Sequence, residues 1–415
     1  MEHPAGQSRY AAALSRLIEP RRPLAKSRQR FSNRDLAALI LPIVAEQLLA
    51  MLVGLADTLM VSYAGEAAVS GVSLVNQLNN VFIFIFGAVA SGGAVVASQY
   101  IGREDRENGI TAASQLVMFT LLLSLVMAAG CIFSRTGMLR LLFGKVEPDV
   151  MEASLTYLVL SALSFPMLAV YNSCAALFRS MGDTKTVMDI SLVMNVINVA
   201  GNAVGIFVLR AGVAGVAVPS LISRTFAAVI SLALMLRPAN PIYILPRRFF
   251  SWNGPMLRRI LHIAIPGSVE NGLFQISKVA LSSIVALCST TQIAANGVAQ
   301  SFWSLTALFC IALGYAFVTI IGQCMGAGDT EAAEYYSRKL LRITYFGSAV
   351  WGLIIFLLTP PVLLLYSISP EAKRLVILLV FLHFVGNTLL TPLALSLSNG
   401  MRAAGDVRYT MLSSI

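Results

Sequence analysis

The sequence predicts an all-α membrane protein built from two six-helix repeats, a twelve-helix plan of which about ten and a half helices are present. Three observations predict it. The 415-residue chain is 57% hydrophobic and only 12% charged, with a mean hydropathy of +0.76, and a water-soluble domain cannot hide that much apolar surface. Apolar runs of about twenty residues, enough to cross a hydrocarbon core of about 30 Å, recur along almost its whole length. Short motifs of charged residues, Pro and Gly in the first half return in the second at a constant offset.

Ten runs follow in order, at 36–62, 73–100, 112–133, 154–178, 188–209, 213–236, 260–287, 299–322, 343–364 and 375–401, and an eleventh begins at the C-terminal end. The first carries Pro42-x-x-x-Glu46 and, eleven residues after the glutamate, Asp57. Asn76, Gln77, Asn79 and Asn80 open the second, whose Gly87, Gly92 and Gly93 permit close helix approach or bending. The seventh repeats the first as Pro266-x-x-x-Glu270 and adds Lys278, and the eighth opens on Gln300 and Ser301. Pro42, Pro166, Pro266 and Pro392 mark expected kinks. Phe82, Phe84, Phe86, Phe302, Trp303 and Phe309 are available to aromatic cargo, although lipid and neighbouring helices are the commoner partners of such rings.

A net charge of +10 invites nucleic acid, but the placement of the basic residues points elsewhere. Arg9, Arg16, Arg21, Arg22, Lys26, Arg28, Arg30 and Arg34 precede the first run, and most of the others follow even-numbered runs. The connections after odd-numbered runs are poorer, with Arg135, Arg140, Lys145, Arg210, Lys373 and Arg374. The positive-inside rule therefore puts the N-terminus and the even-to-odd loops in the cytoplasm, and no nucleic-acid partner is expected. Residues 1–31 read as a basic, flexible cytoplasmic tail without a secretory signal, and 237–259 as a proline- and arginine-rich cytoplasmic linker between an N-lobe, 32–236, and a C-lobe, 260–415. Cys131, Cys174, Cys288, Cys310 and Cys324 show no metal-ligand spacing and read as small apolar packers.

The repeat rests on three matches. Pro42 and Glu46 pair with Pro266 and Glu270, and Gln99-x-x-Gly102-x-x-Asp105 pairs with Gln323-x-x-Gly326-x-x-Asp329, both at an offset of 224. Arg179-x-x-Gly182-Asp183 pairs with Arg402-x-x-Gly405-Asp406 at 223. Six spans per repeat, an even number, make the halves parallel about an axis along the membrane normal, with a cavity expected between them. Residue 415 corresponds to residue 192 of the first half, so counterparts of spans five and six are missing and a C-terminally incomplete chain is expected.

These residues, with Asp57 and Thr58, Gln99 to Gly102, Arg179 to Asp183 and Gly212 to Gly215, resemble the multidrug and toxic compound extrusion family of secondary transporters from about Phe31 to the end. The resemblance implies twelve helices in two bundles, a V-shaped cavity, and export of amphipathic, often cationic compounds against a proton or sodium gradient. Asp57 is the leading candidate by physics as well, because a charge in mid-membrane costs on the order of 3 kcal/mol unless it faces water or a partner. The resemblance makes it the coupling carboxylate and adds an Asn and an Asp four apart on helix five and a hydroxyl on helix six. Asn198, Asn202 and Ser220 occupy those places, with Asn202 a departure from Asp. Either a sodium ion or a proton is accommodated by such a set. The family's acidic position on helix ten is met here by His383, Asn387 and Thr391, with no carboxylate.

Glu46 lies three turns from Asp57 on nearly the same face, about 16 Å away, and Lys278 lies about 12 Å along from Glu270. Glu46, Glu270 and Lys278 are gating or cavity candidates, with a helix-locking ion pair or amide network as the plain alternative. Asn76, Gln77, Gln300, Asn387 and Thr391 are candidate cavity contacts, with interhelical hydrogen bonding the commoner role for such amides. Arg179 with Asp183 and Arg402 with Asp406 are spaced for i, i+4 ion pairs.

No phosphate-binding loop, metalloprotease helix or nucleophile elbow appears, so an ion gradient is the expected energy source and no cofactor beyond the coupling ion is expected. The reading is a monomeric, multi-pass antiporter of the plasma membrane that exports small amphipathic or cationic organic molecules. A flippase for lipid-linked cell-envelope precursors is the first rival, disfavoured because only Lys278 and Arg224 lie within spans to meet phosphates. A non-transporting membrane scaffold or sensor is the second, and embedded Glu46, Asp57 and Glu270 argue against it.

Overall fold

A computed structural model of the chain describes residues 18–20, 24–143, 147–285, 287, 289–364 and 369–413. The basic positions from Arg9 to Arg22, with Lys145 and Cys288, lie outside the described residues. The long helices are α1 Asn33–Ser62, α2 Glu66–Gly102, α3 Arg106–Phe143, α4 Pro148–Ser180, α5 Thr184–Ala203, α6 Ala214–Met235, α7 Gly254–Val285, α8 Thr290–Gly326, α9 Thr330–Leu363 and α10 Pro370–Leu389. Among the described residues, all of these but α7 are long and apolar enough to cross a membrane. α7 has the length, at 32 residues, but carries Glu270 and Lys278 inside its apolar stretch.

Pro42, Pro166 and Pro266 sit inside continuous helices, whereas Pro392 heads a π-helical segment, Pro392–Leu397. A helix, Ser398–Ala404, follows it, and α11 spans Val407–Ser413. α5 likewise leads into a π-helical turn, Val204–Val208, so the fifth and tenth apolar runs, each read from the sequence as a single stretch, change pitch near their ends.

The chain forms two compact units, Leu41–Asn271 in one and Met1–Ile40 with Gly272–Ile415 in the other. In the first, α4 packs against α2, α3 and α6, and α5 against α6. Met60, Val61, Val72, Val75, Leu158, Ile206 and Val216 form one core cluster, and Phe86 with Phe165 anchors another. Small residues set the closest crossings: a Cβ on Gly205 would run into the Gly215 carbonyl oxygen, and one on Gly92 would stand 2.8 Å from that of Ile260. Gly87, by contrast, has open space around its Cβ position.

The segment leading to α7 is folded onto the start of α3. Ile242 and Ile244 are buried, the Gln115 amide donates to the Arg248 carbonyl at 2.9 Å and accepts from the Asn253 N–H at 2.8 Å, and Arg106 donates to the Pro238 carbonyl at 2.6 Å. Its prolines stop helix formation, and its freed carbonyls are taken by long side chains of α3.

In the second unit α8 packs against α9, α10 and Ser398–Ala404 around Phe302, Ile355, Leu363, Val376 and Val380. The described part of the N-terminal segment packs against α9. Leu24 is buried, Glu19 accepts from Lys339 Nζ at 2.7 Å and from the Tyr335 hydroxyl, and Arg342 donates to the Glu19 carbonyl. Arg28 pairs with Glu331, and Phe31 exchanges backbone hydrogen bonds of 2.9 Å each way with the hydroxyl of fully buried Tyr336. Composition alone missed this strap because its partners sit on α9.

The repeat is visible in backbone geometry. The Asp105 N–H donates to the Tyr100 carbonyl at 3.0 Å, and 224 residues on the Asp329 N–H donates to that of Cys324 at 3.1 Å. Asp183 to Phe178 and Asp406 to Met401 repeat the same bond at 3.0 Å each. Glu104 and Gly328 hold equivalent left-handed positions, φ +60° and +75°, as do Gly182 and Gly405, φ +86° and +102°. Each aspartate then caps the next helix, accepting from the N–H of Asn108, Thr186, Ala332 or Tyr409. Hydrogen bonds from the Asn108 side chain and backbone hold the Asp105 carboxyl below its usual range.

Candidate ion-coupling site

The site is assembled where α5 and α6 meet. Gly205 lies against Gly215, and a Cβ on Gly201 would stand 2.6 Å from the Pro219 Cβ. With no side chains to hold the helices apart, Asn198 on α5 comes opposite Ser220 on α6. Asn198 and Asn202, one turn apart, are buried and share the face turned to Asp57 of α1.

Asn202 Nδ2 donates to Asp57 Oδ1 at 2.7 Å. With the Asn198 amide nitrogen turned to Asp57, it donates to Oδ1 at 2.9 Å and to Oδ2 at 3.2 Å, and its oxygen accepts from the Ser220 hydroxyl at 2.9 Å. The reverse orientation would set the amide oxygen against two carboxylate oxygens. Both oxygens of a carboxylate inside the span are thus held by amide donors, each such charge-assisted bond being worth about 1.5–3 kcal/mol. Asn202 Oδ1 is buried and has no hydrogen-bond partner among the described residues.

Arg224, one turn beyond Ser220 on α6, stands close enough to feel the charge of Asp57 and the ring hydroxyl of Tyr157, and donates to Ser164 Oγ at 2.6 Å. Sequence reasoning left it outside the site. Its signal was present: a single cation in the sixth apolar run, four residues after Ser220 and hence on the same face. Tyr157 of α4 closes this polar patch, donating to Asn76 Oδ1 at 3.2 Å.

The other candidates divide. Glu46, buried on α1, forms an ion pair with Arg179 of α4 at 2.5 Å, the side chains being 7% and 12% exposed. The i, i+4 reading of Arg179 with Asp183 gives way: the guanidinium is turned to Glu46, and Asp183 is engaged as the cap of α5. In the second repeat Arg402 donates to Asn399 Oδ1 at 3.0 Å while Asp406 caps α11. Asn76 makes the expected interhelical hydrogen bond, and Gln77 and Gln300 are exposed. Asn387 is buried, donating to Thr306 Oγ1 at 2.6 Å and accepting from the Thr391 hydroxyl at 2.9 Å, a network that ties α10 to α8. Glu270 and Lys278, although on one helix, fall in different compact units. Lys278 Nζ stands over the Trp303 ring at 4.4 Å.

The MatE family model matches residues 42–204 and 266–415, in two copies that coincide with the repeat. The chain belongs to the MatE family. The uncharacterized transporter YisQ of Bacillus subtilis is 26% identical over 382 residues, covering 90% of this chain and 82% of the relative. A probable multidrug resistance protein NorM of Thermotoga maritima is 24% identical over 349 residues, covering 82% and 73%. Among solved structures, a MATE crystal structure in the straight conformation superposes with a TM-score of 0.86 at 19% identity, covering 92% of this chain and 85% of that one. An outward-facing multidrug resistance MATE family transporter of the MOP superfamily gives 0.83 at 20% identity, covering 92% and 84%. The MatE fold, an all-helical membrane transporter of two repeated lobes, is therefore the fold of this chain.

Proposed function

We propose that this MatE chain is a proton-driven antiporter that exports small amphipathic organic compounds across the plasma membrane, with its N-terminus in the cytoplasm. The observation that carries the reading is the Asp57 carboxylate held inside a span by the amides of Asn198 and Asn202. An amide serves either protonation state. Its N–H donates to the carboxylate, and after a half-turn its oxygen accepts from the carboxylic acid, a role open to the unpartnered Asn202 Oδ1. A sodium ion instead calls for several oxygen ligands, and here one carboxylate faces N–H donors beside a guanidinium.

Protonation removes the charge that draws Asn198 and Asn202 to α1, so the packing of α1 against α5 depends on whether the proton is bound. A bound proton biases the conformational equilibrium only through such a difference between the two packings. Each charge moved through 100 mV supplies about 2.3 kcal/mol, enough for a tenfold or larger cargo gradient. The multidrug resistance names of the relatives support organic cargo.

The test is efflux of a fluorescent amphipathic dye in everted membrane vesicles under imposed gradients. Efflux is expected to follow the pH gradient and to fall at least tenfold in Asp57→Asn. Efflux that follows sodium at constant pH would replace the proton, and no gradient-driven efflux at all would reject the antiporter.

A further inference from the structure

We infer that the Gly272–Ile415 unit carries a recognition subsite for aromatic carboxylates, built from the Lys278 ammonium on the faces of Trp303 and Phe274. This names a cargo class and rests on the transport reading above.

Lys278 is half-buried, seven residues before the end of α7. Its Nζ lies 4.4 Å from the Trp303 ring centroid and 5.6 Å from that of Phe274, and the two rings lean together at 6.2 Å with an interplanar angle of 31°. The Trp303 backbone carbonyl accepts from Asn387 Nδ2 at 3.5 Å, which ties this turn of α8 to α10. Lys278 has no ion-pair partner among the described residues. A cation within a span is costly, and cation–π contact offsets only part of that cost. The strongest completion is an anion, and the two rings beside it select one that carries an aromatic group.

The repeat sharpens the point. An offset of 224 places Lys278 at Gly54 and Leu281 at Asp57, so the second repeat has lost the carboxylate and gained a cation one turn away. In sequence register, the first repeat carries a carboxylate where the second carries an ammonium three positions away. A carboxylate has three donors at Lys278 and forms charge-assisted bonds of about 2.7–2.9 Å with an ammonium. A cationic dye gains nothing there.

The purified full chain in detergent is titrated calorimetrically with 2-naphthoate and with 2-naphthylmethylammonium, which differ in charge but share the ring. Wild type is expected to prefer the carboxylate at least tenfold. Lys278→Gln is expected to lose that preference, Lys278→Arg to keep it within threefold, and Trp303→Leu to weaken both probes. Equal affinity of wild type for the two probes, or preference for the ammonium, overturns the subsite whether or not the variants fold. Unchanged naphthoate affinity in a folded Lys278→Gln also overturns it. Binding is read without any gradient, so failure of gradient-driven efflux with selective binding intact rejects the transport reading alone.

Discussion

Glu46 and Arg179 show what a buried charge does when its partner is 133 residues away. Each is nearly sealed from solvent, so removing one deprives the other of its ion-pair partner, a loss of about 3–5 kcal/mol, whereas removing both is far less damaging. Glu46→Ala and Arg179→Ala are expected to melt well below wild type in detergent, and Glu46→Gln with Arg179→Gln to recover most of the loss. Glu104 offers a cleaner measurement. It holds the left-handed conformation that Gly328 takes in the second repeat, at a cost of about 1–2 kcal/mol for a residue with a Cβ. Glu104→Gly should raise the melting temperature, and Gly328→Ala, whose Cβ meets nothing within 4 Å, should lower it for conformational reasons alone.

Among the elements, the α5–α6 crossing positions the candidate coupling group. Gly205→Ala drives a methyl into the Gly215 carbonyl, and backbone on both sides leaves nothing flexible to yield. The helices must separate, taking Asn198 from Ser220, so dye efflux is expected to fall at least tenfold together with a loss of thermal stability. Gly87→Ala, placed in open space on α2, is expected to melt at or above wild type, since alanine favours a helix by about 0.8–1 kcal/mol over glycine. The crossing was partly legible in the sequence, where Gly212 to Gly215 opens the sixth run, but the matching Gly205 carries no signal of its own. The π-helical turns at Val204–Val208 and Pro392–Leu397 were not legible either, because an added residue per turn changes hydrogen bonding without changing composition.

At the scale of the molecule, the strap from Glu19 to Phe31 ties the N-terminal segment to α9. Burial raises the affinity of the Glu19 carboxyl for its proton, but hydrogen bonds from Lys339 and Tyr335 and the Lys339 charge outweigh it, and the net shift is below the ordinary value of 4.5. The strap's contribution is therefore present above pH 4.5 and lost as pH falls through the depressed value in the folded chain. Amide protection at residues 24–31, measured against the intrinsic exchange rate, should fall below pH 4.5 in wild type and be low at every pH in Glu19→Ala. The duplicated plan was legible because its markers act locally, within one turn of a helix end. Asp57, Asn198, Asn202 and Ser220 came from the family resemblance and helix spacing. Glu46 with Arg179, Lys278 with Trp303 and Glu19 with Lys339 join separate helices or segments, where no spacing rule reaches. The four aspartates at positions 105, 183, 329 and 406 are helix starts, punctuation rather than vocabulary. Chains that share all four share a grammar of folding and remain free to carry different freight, which is written instead in side chains such as Lys278 and Trp303.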